Sequence, residues 1–326
     1  MRIAVFGAGA IGGHVAFRLA RGGAEVSVVA RGAQGEAIAR NGIRVITPEL
    51  DEVRRVACAS DPAALGAQDA VIVTTKATAL AEVARAIGPL LGPGTPVAYV
   101  MNGIPWWYFH AEGGPHEGAR LDVLDPGGAL WDGVGIARAI GGVVYSACTV
   151  IEPGVVRVAQ AKSRVILGEP DGTITPRAQA IAAALEAGGM GAPVVPDIRN
   201  AVWEKLSGNV ASGPLAILTG KGLSGMIGDP VLRQAGITAM EECLAIAAAH
   251  RQRVTLDVAA RLDAWGSFSH KPSILQDLEL GRPMEIDAQL TVPLTLARMA
   301  GVATPVLDLL VSLAKARANT AGLYAG

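Results

Sequence analysis

The sequence predicts an α/β protein in which a parallel sheet is followed by a second, all-helical domain. Short apolar runs alternate with helical patterns through the first half of the chain, as βαβ units do. After Asp197 the apolar residues recur at helical spacing and strand patterns stop. We therefore place the boundary between a first domain of residues 1–196 and a second domain of residues 197–326.

The composition fits two globular domains and argues against several classes of protein. The 326 residues are 51% hydrophobic and 17% charged, which is enough apolar surface for two cores. A formal net charge of −1 gives no reason to expect nucleic acid or an anionic membrane surface as a partner. No apolar run is long enough to span a bilayer, and no basic leader precedes the first strand pattern. We expect a cytoplasmic protein.

Cysteine and histidine are scattered along the chain. Cys58, Cys148 and Cys243 are isolated, and the five histidines include no pair at metal-ligand spacing. The sequence therefore predicts reduced thiols and no metal site.

A glycine-rich turn joins the first predicted strand to the first helix. It consists of Gly7, Ala8, Gly9, Ala10, Ile11 and Gly12. Between a strand and a helix, the spacing G-x-G-x-x-G predicts a Rossmann-type dinucleotide-binding turn, where backbone approaches a pyrophosphate at a helix N-terminus. The alternative is a glycine turn that binds no ligand.

Arg31 follows the second predicted strand, residues 25–30. Proteins that bind NAD usually carry an acidic residue here, which bonds the ribose 2′-hydroxyl. A guanidinium instead suits a 2′-phosphate, which it grips with two charge-assisted hydrogen bonds. The sequence thus favours NADP over NAD, and the alternative is a solvated loop arginine.

The other elements follow from the apolar periodicity. Further strands are predicted at 70–74 and 96–101, a hairpin at 43–46 and 53–57, strands at 143–150, 155–159 and 165–168 that complete the same sheet in an antiparallel sense, and a short strand at 193–195. Helices are predicted at 10–21, 78–91, 177–187, 199–211, 230–250, 256–265, 273–280, 285–300 and 305–319. Lys76 and Asn102 come just after two of these strands, where open α/β sheets bind ligands. The aromatic run at 106–109 fits the packing of a long loop, with a lid or an interface as alternatives.

Two polar constellations stand out in the helical half. Lys205 and Asn209 are four residues apart and share a helix face just after the domain boundary, where we expect the cleft between the domains. Ser273 and Asp277 have the same spacing, and Glu285 and Asp287 enrich the first turn of the next helix, where capping is the simpler explanation for Asp287.

Together these residues resemble the ketopantoate reductase (2-dehydropantoate 2-reductase) family, within the 6-phosphogluconate-dehydrogenase-like superfamily. The match spans essentially the whole chain. Its motifs are the glycine turn, Arg31, Thr75-Lys76-Ala77, Asn102-Gly103, Trp203-x-Lys205-Leu206-x-x-Asn209, and Ser273-x-x-Gln276-Asp277 followed by Glu285-Ile286-Asp287.

The resemblance implies the NADPH-dependent reduction of ketopantoate to D-pantoate, a step of pantothenate biosynthesis. It implies that Lys205 is the catalytic acid and that Glu285 assists at the substrate. Asn209 and Ser273 would bind the substrate's carboxylate and hydroxyl groups, and Lys76 and Asn102 would lie near the nicotinamide and the substrate. This chemistry is reasonable for an ammonium, because an alkoxide formed by hydride transfer needs both a proton and a nearby positive charge.

One departure from the family bears on the substrate. Family members commonly carry a second asparagine four residues after the first, and here that position is Gly213, with Ser212 as a partial replacement. A family member acting on another 2-oxo acid or on a hydroxy acid is therefore an alternative, as are a non-catalytic NADP sensor and an interaction module. The physiological direction stays open. The apolar helices at 290–300 and 306–314 either join two copies of the chain as a homodimer or belong to the core.

Overall fold

The computed structural model describes residues 1–159, 162–267 and 271–325. The chain divides into two compact units. The first comprises Met1–Met101 and Pro105–Ile198, and the second comprises Asn102–Ile104 and Arg199–Gly326. We call them the nucleotide unit and the helical unit.

The strands of the described chain all lie in the nucleotide unit. They are β1 (Arg2–Phe6), β2 (Glu25–Val29), β3 (Ile43–Ile46), β4 (Asp51–Arg54), β5 (Ala57–Ala59), β6 (Ala70–Val73), β7 (Val97–Val100), β8 (Ala139–Tyr145), β9 (Cys148–Glu152), β10 (Val155–Val158) and β11 (Arg164–Gly168). Its helices are α1 (Ala10–Arg21), α2 (Gly32–Asn41), α3 (Leu80–Ala86) and α4 (Pro176–Ala187).

Seven of these strands form the main sheet, in the order β11-β8-β7-β6-β1-β2-β5. All neighbours are parallel except β11, which pairs with β8 in an antiparallel sense. The central strands β1, β6 and β7 are buried on both faces, as expected for a parallel sheet covered by helices. This confirms the predicted Rossmann-type sheet.

The strands after residue 138 differ from the prediction in two ways. The strand β8 is parallel to β7, because the 38 residues between Val100 and Ala139 supply the long crossover that a parallel pair requires. The strands β9 and β10 leave the main sheet altogether. They form a second sheet in the order β4-β3-β10-β9. It includes a hairpin of β3 and β4, whose second strand is Asp51–Arg54 rather than the predicted 53–57, because the chain from Ala57 joins the main sheet as β5.

This second sheet covers the helix that follows the glycine turn. Val156 of β10 pairs with Val45 of β3, and both side chains are buried in the core that surrounds α1. A Cβ atom at Gly13 of α1 would lie 2.9 Å from Cγ2 of Val156, so the helix and this sheet approach closely. The residues of β10 alternate between more buried and more exposed positions, which is typical of a strand with one covered face.

Two further segments, at 78–91 and 193–195, differ from the prediction. The predicted helix at 78–91 is a short α3 between two 3₁₀ turns, since Gly88 and Pro89 end it early. The predicted strand at 193–195 pairs only through an isolated bridge of Val194 to Leu167.

The aromatic run at 106–109 is buried, at most 1% exposed, which confirms the packing interpretation.

The helical unit is built from α5 (Ile198–Thr219), whose first residue belongs to the nucleotide unit, and from the helices that follow it. These are α6 (Leu223–Ile227), α7 (Pro230–Ala249), α8 (Val258–Trp265), α9 (Ser273–Glu279), α10 (Val292–Met299) and α11 (Pro305–Thr320). A π-helical turn, Asp287–Thr291, leads into α10. The helix α5 runs through Pro214 and extends beyond its predicted end at residue 211. In the described chain, no helix combines the length and apolarity needed to cross a membrane.

Candidate active site

The glycine turn has the geometry that its sequence predicts. Gly7 has φ +96°, a left-handed conformation that a side chain would strain. A Cβ atom at Gly12 would lie 1.9 Å from the Gly7 carbonyl oxygen, so only glycine allows α1 to start this close to β1. No side chain caps the N-terminus of α1 at Gly9, which leaves backbone N–H groups of its first turn for a ligand.

Two observations test whether this turn fits a dinucleotide. A Cβ atom at Gly9 would meet no atom within 4 Å, so there is open space where a pyrophosphate would approach the backbone. Beside the turn, the buried hydroxyl of Thr75 has no hydrogen-bond partner in the described chain. The residues present therefore fit a dinucleotide phosphate group.

Arg31 lies at the N-terminus of α2, directly after β2. Its guanidinium donates two hydrogen bonds to the carboxylate of Glu82 on α3, one of them 3.0 Å long. Arg31, which is predicted to bind the 2′-phosphate, is thus paired with an acidic side chain in this structure. The sequence did not indicate Glu82, because no local pattern brings residues 31 and 82 together. Lys76 lies at the carboxyl end of β6, where it precedes a 3₁₀ turn and is half-buried.

Asn102 follows β7, but its contacts group it with the helical unit. The adjoining Gly103 has φ +83°, and a Cβ atom there would lie 2.3 Å from the carbonyl oxygen of Ala288. The backbone N–H of Ile104 donates to that same carbonyl at 2.9 Å. This close backbone approach fixes Asn102 within the helical unit.

Lys205 and Asn102 are in direct contact. The Lys205 ammonium donates a hydrogen bond of 2.6 Å to Oδ1 of Asn102, and both residues are half-buried. Because an ammonium only donates, the amide nitrogen of Asn102 is turned away from the lysine and is left to donate. The structure thus brings together two predicted site residues that are 103 positions apart in the sequence.

A second set of contacts connects Asn209 to Glu285 through Gln289. The Asn209 amide donates to Oε1 of Gln289 at 3.2 Å, and the Gln289 amide donates to the Glu285 carboxylate at 3.3 Å. Gln289 is 4% exposed and Glu285 is 6% exposed. The sequence analysis missed Gln289, although its spacing of four residues from Glu285 is a signal for contact on a helix.

Ser273 is exposed at the start of α9, and it makes no hydrogen bond to Asn209 within the described residues. Its neighbour Ile274 packs on α5, where a Cβ atom at Gly213 would lie 3.3 Å from Cγ2 of Ile274. The hydroxyl of Ser212 donates to the Gly208 carbonyl of its own helix at 2.8 Å, so it does not replace the missing amide. Among the described residues, the atom that a Cβ at Gly213 would meet within 4 Å thus belongs to an apolar side chain.

In the helical unit, Lys205, Asn102, Asn209, Gln289 and Glu285 form a lysine–amide cluster. This cluster and the parallel sheet with its glycine turn are the features of an NAD(P)-dependent oxidoreductase. Residues 3–172 match the family model described as ketopantoate reductase PanE/ApbA, and residues 197–318 match the model of its C-terminal part. The chain therefore belongs to the ketopantoate reductase family.

Individual relatives agree with this assignment. A 2-dehydropantoate 2-reductase of Mesorhizobium japonicum is 43% identical over 99% of this chain and 100% of the relative. A solved structure from Ralstonia solanacearum, assigned to the ketopantoate reductases, has a TM-score of 0.92 and 38% identity over 99% of both chains. The solved 2-dehydropantoate 2-reductase of Geobacter metallireducens has a TM-score of 0.85 and 30% identity over 97% of this chain and 99% of that one.

Proposed function

We propose that this chain reduces 2-dehydropantoate to D-pantoate, with NADPH as the reductant. The observation that carries the proposal is the 2.6 Å contact between the Lys205 ammonium and Asn102, in a chain that matches the ketopantoate reductase model over both of its parts. The names of its relatives support the substrate.

Lys205 is the general acid in this proposal. A nicotinamide, when bound, would supply the hydride for C2 of the 2-oxo acid. The carbonyl oxygen then carries negative charge, and Nζ of Lys205 donates a proton to it, so that a hydroxyl group forms. Asn102 accepts a hydrogen bond from the same ammonium, which restricts the direction in which Lys205 points.

The neutral and acidic side chains of the cluster bind and orient the substrate. Asn209 and Ser273 are assigned to its carboxylate and hydroxyl groups, and Asn102 donates from the amide nitrogen that faces away from Lys205. Glu285 contributes a negative charge that favours the ammonium form of Lys205. We thus assign the catalytic roles to Lys205 and Glu285.

The nucleotide is assigned to the first unit. Gly7, Ala8, Gly9, Ala10, Ile11 and Gly12 hold the pyrophosphate, with Arg31 and Lys76 of the same unit as further contacts. Asn102, whose described contacts group it with the helical unit, stays a predicted contact of the nicotinamide. The preference for NADPH over NADH rests on Arg31, whose guanidinium suits a 2′-phosphate. Thr75 adds a hydroxyl beside the glycine turn.

The test is the oxidation of NADPH with ketopantoate, measured for the wild type and Lys205→Met. We expect turnover by the wild type and a loss of kcat on the order of 10²–10⁴-fold in the variant, as removal of a general acid predicts. Lys221→Met, which changes an exposed lysine just after α5, is the matched control and should keep wild-type rates. Tight NADPH binding by the wild type without turnover of any 2-oxo acid would favour a sensor and overturn the proposal.

A second candidate function is the reduction of a different 2-oxo acid. The specific observation that favours it is that a Cβ atom at Gly213 would meet the apolar side chain of Ile274 at 3.3 Å, at the position where the family resemblance implies an amide. A panel of 2-oxo acids in the same assay separates the two candidates. If an acid without a hydroxyl group has a higher kcat/KM than ketopantoate, that acid is the better substrate and the second candidate is favoured.

The pairing of two copies of the chain stays a prediction. The helix α11 buries Leu310 and Val311, whereas Leu309 and Leu313 are 61% and 45% exposed. Sedimentation equilibrium of the purified protein would measure the oligomeric state directly.

A further inference from the structure

Gln289 lies between a residue assigned to substrate binding and a residue assigned to catalysis. Its Oε1 accepts from Asn209 and its Nε2 donates to Glu285, over 3.2 and 3.3 Å. The side chain is 4% exposed and belongs to the π-helical turn Asp287–Thr291. A buried amide with both ends bonded has a defined orientation.

The Glu285 carboxylate determines that orientation. An ionised carboxylate accepts hydrogen bonds and cannot donate them, so Gln289 must present its Nε2 group to Glu285. Its Oε1 then faces Asn209, which must present Nδ2 in turn. The direction of both hydrogen bonds follows from the negative charge of the Glu285 carboxylate.

A consequence for Asn209 follows. With Nδ2 turned toward Gln289, the Oδ1 atom of Asn209 is left as an acceptor, and it makes no hydrogen bond within the described part of the chain. An acceptor oxygen suits a hydroxyl group of a ligand and repels a carboxylate. Asn209 is thereby specified for the hydroxyl rather than for the carboxylate of a hydroxylated 2-oxo acid.

We propose that Gln289 is a positioning residue, which transmits the polarity of Glu285 to Asn209 and so makes Asn209 an acceptor for the substrate's hydroxyl group. The inference rests on the proposed function. It goes beyond that function because it states how this chain distinguishes a 2-oxo acid that carries a hydroxyl group from one that lacks it. A site built around such a bond discriminates strongly against the analogue without the hydroxyl.

The experiment compares kcat/KM for ketopantoate with kcat/KM for 3,3-dimethyl-2-oxobutanoate, which differs only in lacking the hydroxyl group. We expect Gln289→Leu to lower this ratio by about fivefold or more, since one hydrogen bond contributes about 1 kcal/mol. The KM for NADPH and the rate with the deoxy acid should stay near wild-type values. Gln252→Leu, which changes a half-buried glutamine of the same unit bonded to the His250 carbonyl, should leave the ratio unchanged.

Two further variants separate positioning from a loss of structure. In an Asn209→Ala background, Gln289→Leu should change the ratio little, because a residue that acts through Asn209 is non-additive with it. Gln289→Glu keeps an acceptor for Asn209 and should retain the ratio at low pH, where the new carboxyl and Glu285 share a proton. Because each carboxylate raises the pKa of the other, this variant should also show a new titration in its pH profile.

The outcomes distinguish the two proposals. Turnover of ketopantoate by the wild type together with an unchanged ratio in Gln289→Leu, or full additivity with Asn209→Ala, would overturn the inference alone. No turnover of ketopantoate by the wild type would overturn the proposed function and the inference with it.

Discussion

Arg31 and Glu82 form an ion pair through two hydrogen bonds, with the guanidinium at the carboxyl end of β2 and the carboxylate on α3. Both side chains are exposed, at 66% and 43%. An exposed pair of this kind contributes only about 0–1 kcal/mol, so a 2′-phosphate with its larger charge can displace the carboxylate. The carboxylate nonetheless competes with the phosphate for Arg31.

Glu82→Gln should therefore lower the Kd for NADPH by up to about fivefold, which is the effect of 1 kcal/mol. Arg31→Ala should raise the Kd for NADPH by about tenfold and leave the Kd for NADH nearly unchanged. Isothermal titration calorimetry measures both. Asp132→Asn, which breaks the exposed pair of Arg120 in the same unit, is the matched control. An unchanged ratio of the two affinities in Arg31→Ala would remove the basis for NADPH preference.

Two glycine substitutions separate folding from nucleotide binding. Gly9→Ala places a methyl group in open space, so the protein should fold normally and lose affinity for NADPH by about tenfold or more. Gly12→Ala forces a methyl group against the Gly7 carbonyl, so it should lower the free energy of unfolding of the nucleotide unit by several kcal/mol. Thermal unfolding and NADPH titration of both variants check this. Equal stability of the two variants would contradict the described packing.

Acid should destabilise the nucleotide unit through His14. Burial, and secondarily the charge of Arg18, lower the pKa of this histidine from 6.5 to about 3, so it is neutral in the folded protein. Its ring bonds Ser146 at 3.0 Å and accepts from Arg18 at 3.0 Å. Below about pH 6.5 the histidine of the unfolded chain binds a proton and that of the folded chain does not. The contribution of His14 to the free energy of unfolding is therefore fully present above that pH and is lost as the pH falls.

As the pH falls from about 6.5 toward 3, the free energy of unfolding should decrease by up to about 1.4 kcal/mol per pH unit from this group. In His14→Gln, whose side chain carries no titrating proton, the decrease should be shallower by that amount. Urea unfolding measured between about pH 7.5 and about pH 5, a range that brackets the unperturbed pKa, tests the difference. Parallel slopes below pH 6 would show that His14 titrates normally.

Gly213→Asn should introduce an amide at the position where the family resemblance implies one. The new side chain must displace Ile274 slightly, because the Cβ contact is 3.3 Å. One added hydrogen bond to the substrate's hydroxyl should raise kcat/KM for ketopantoate over its deoxy analogue by about fivefold. Gly208→Asn is the control, because it changes a glycine of the same helix α5 whose Cβ would have an ordinary 3.8 Å contact with Trp265 of α8, and it should not change the ratio.

Local signals in the sequence predicted the parts of the molecule that local geometry determines. The glycine turn is one example, since Gly7 needs its conformation and Gly12 its small size within a single strand–turn–helix unit. The helical periodicity after residue 197 likewise gave the helices, although it ended α5 too early. Pro214 lacks an N–H group to donate within a helix, which favours an end near residue 211, yet α5 continues through it to Thr219.

Long-range pairing could not be predicted in the same way. The apolar alternation of β10 indicates a strand but does not encode its partner, so its pairing with β3 was missed. The contact of Glu82 with Arg31 and that of Gln289 with Asn209 join residues 51 and 80 positions apart. Residue types and family motifs nominated Lys205, Asn102, Asn209 and Glu285, whereas the side chains that orient them emerged only from the fold.

The pairing of β3 with β10 also bears on how the chain folds. The residues in register, Arg44 and Val155, are about 110 positions apart, so this sheet closes a very long loop. During synthesis the hairpin of β3 and β4 emerges long before its partner, with one edge unpaired and prone to associate with other chains. Completion of this sheet is therefore expected to be a late and slow folding event, and a chain truncated before residue 155 should aggregate rather than fold.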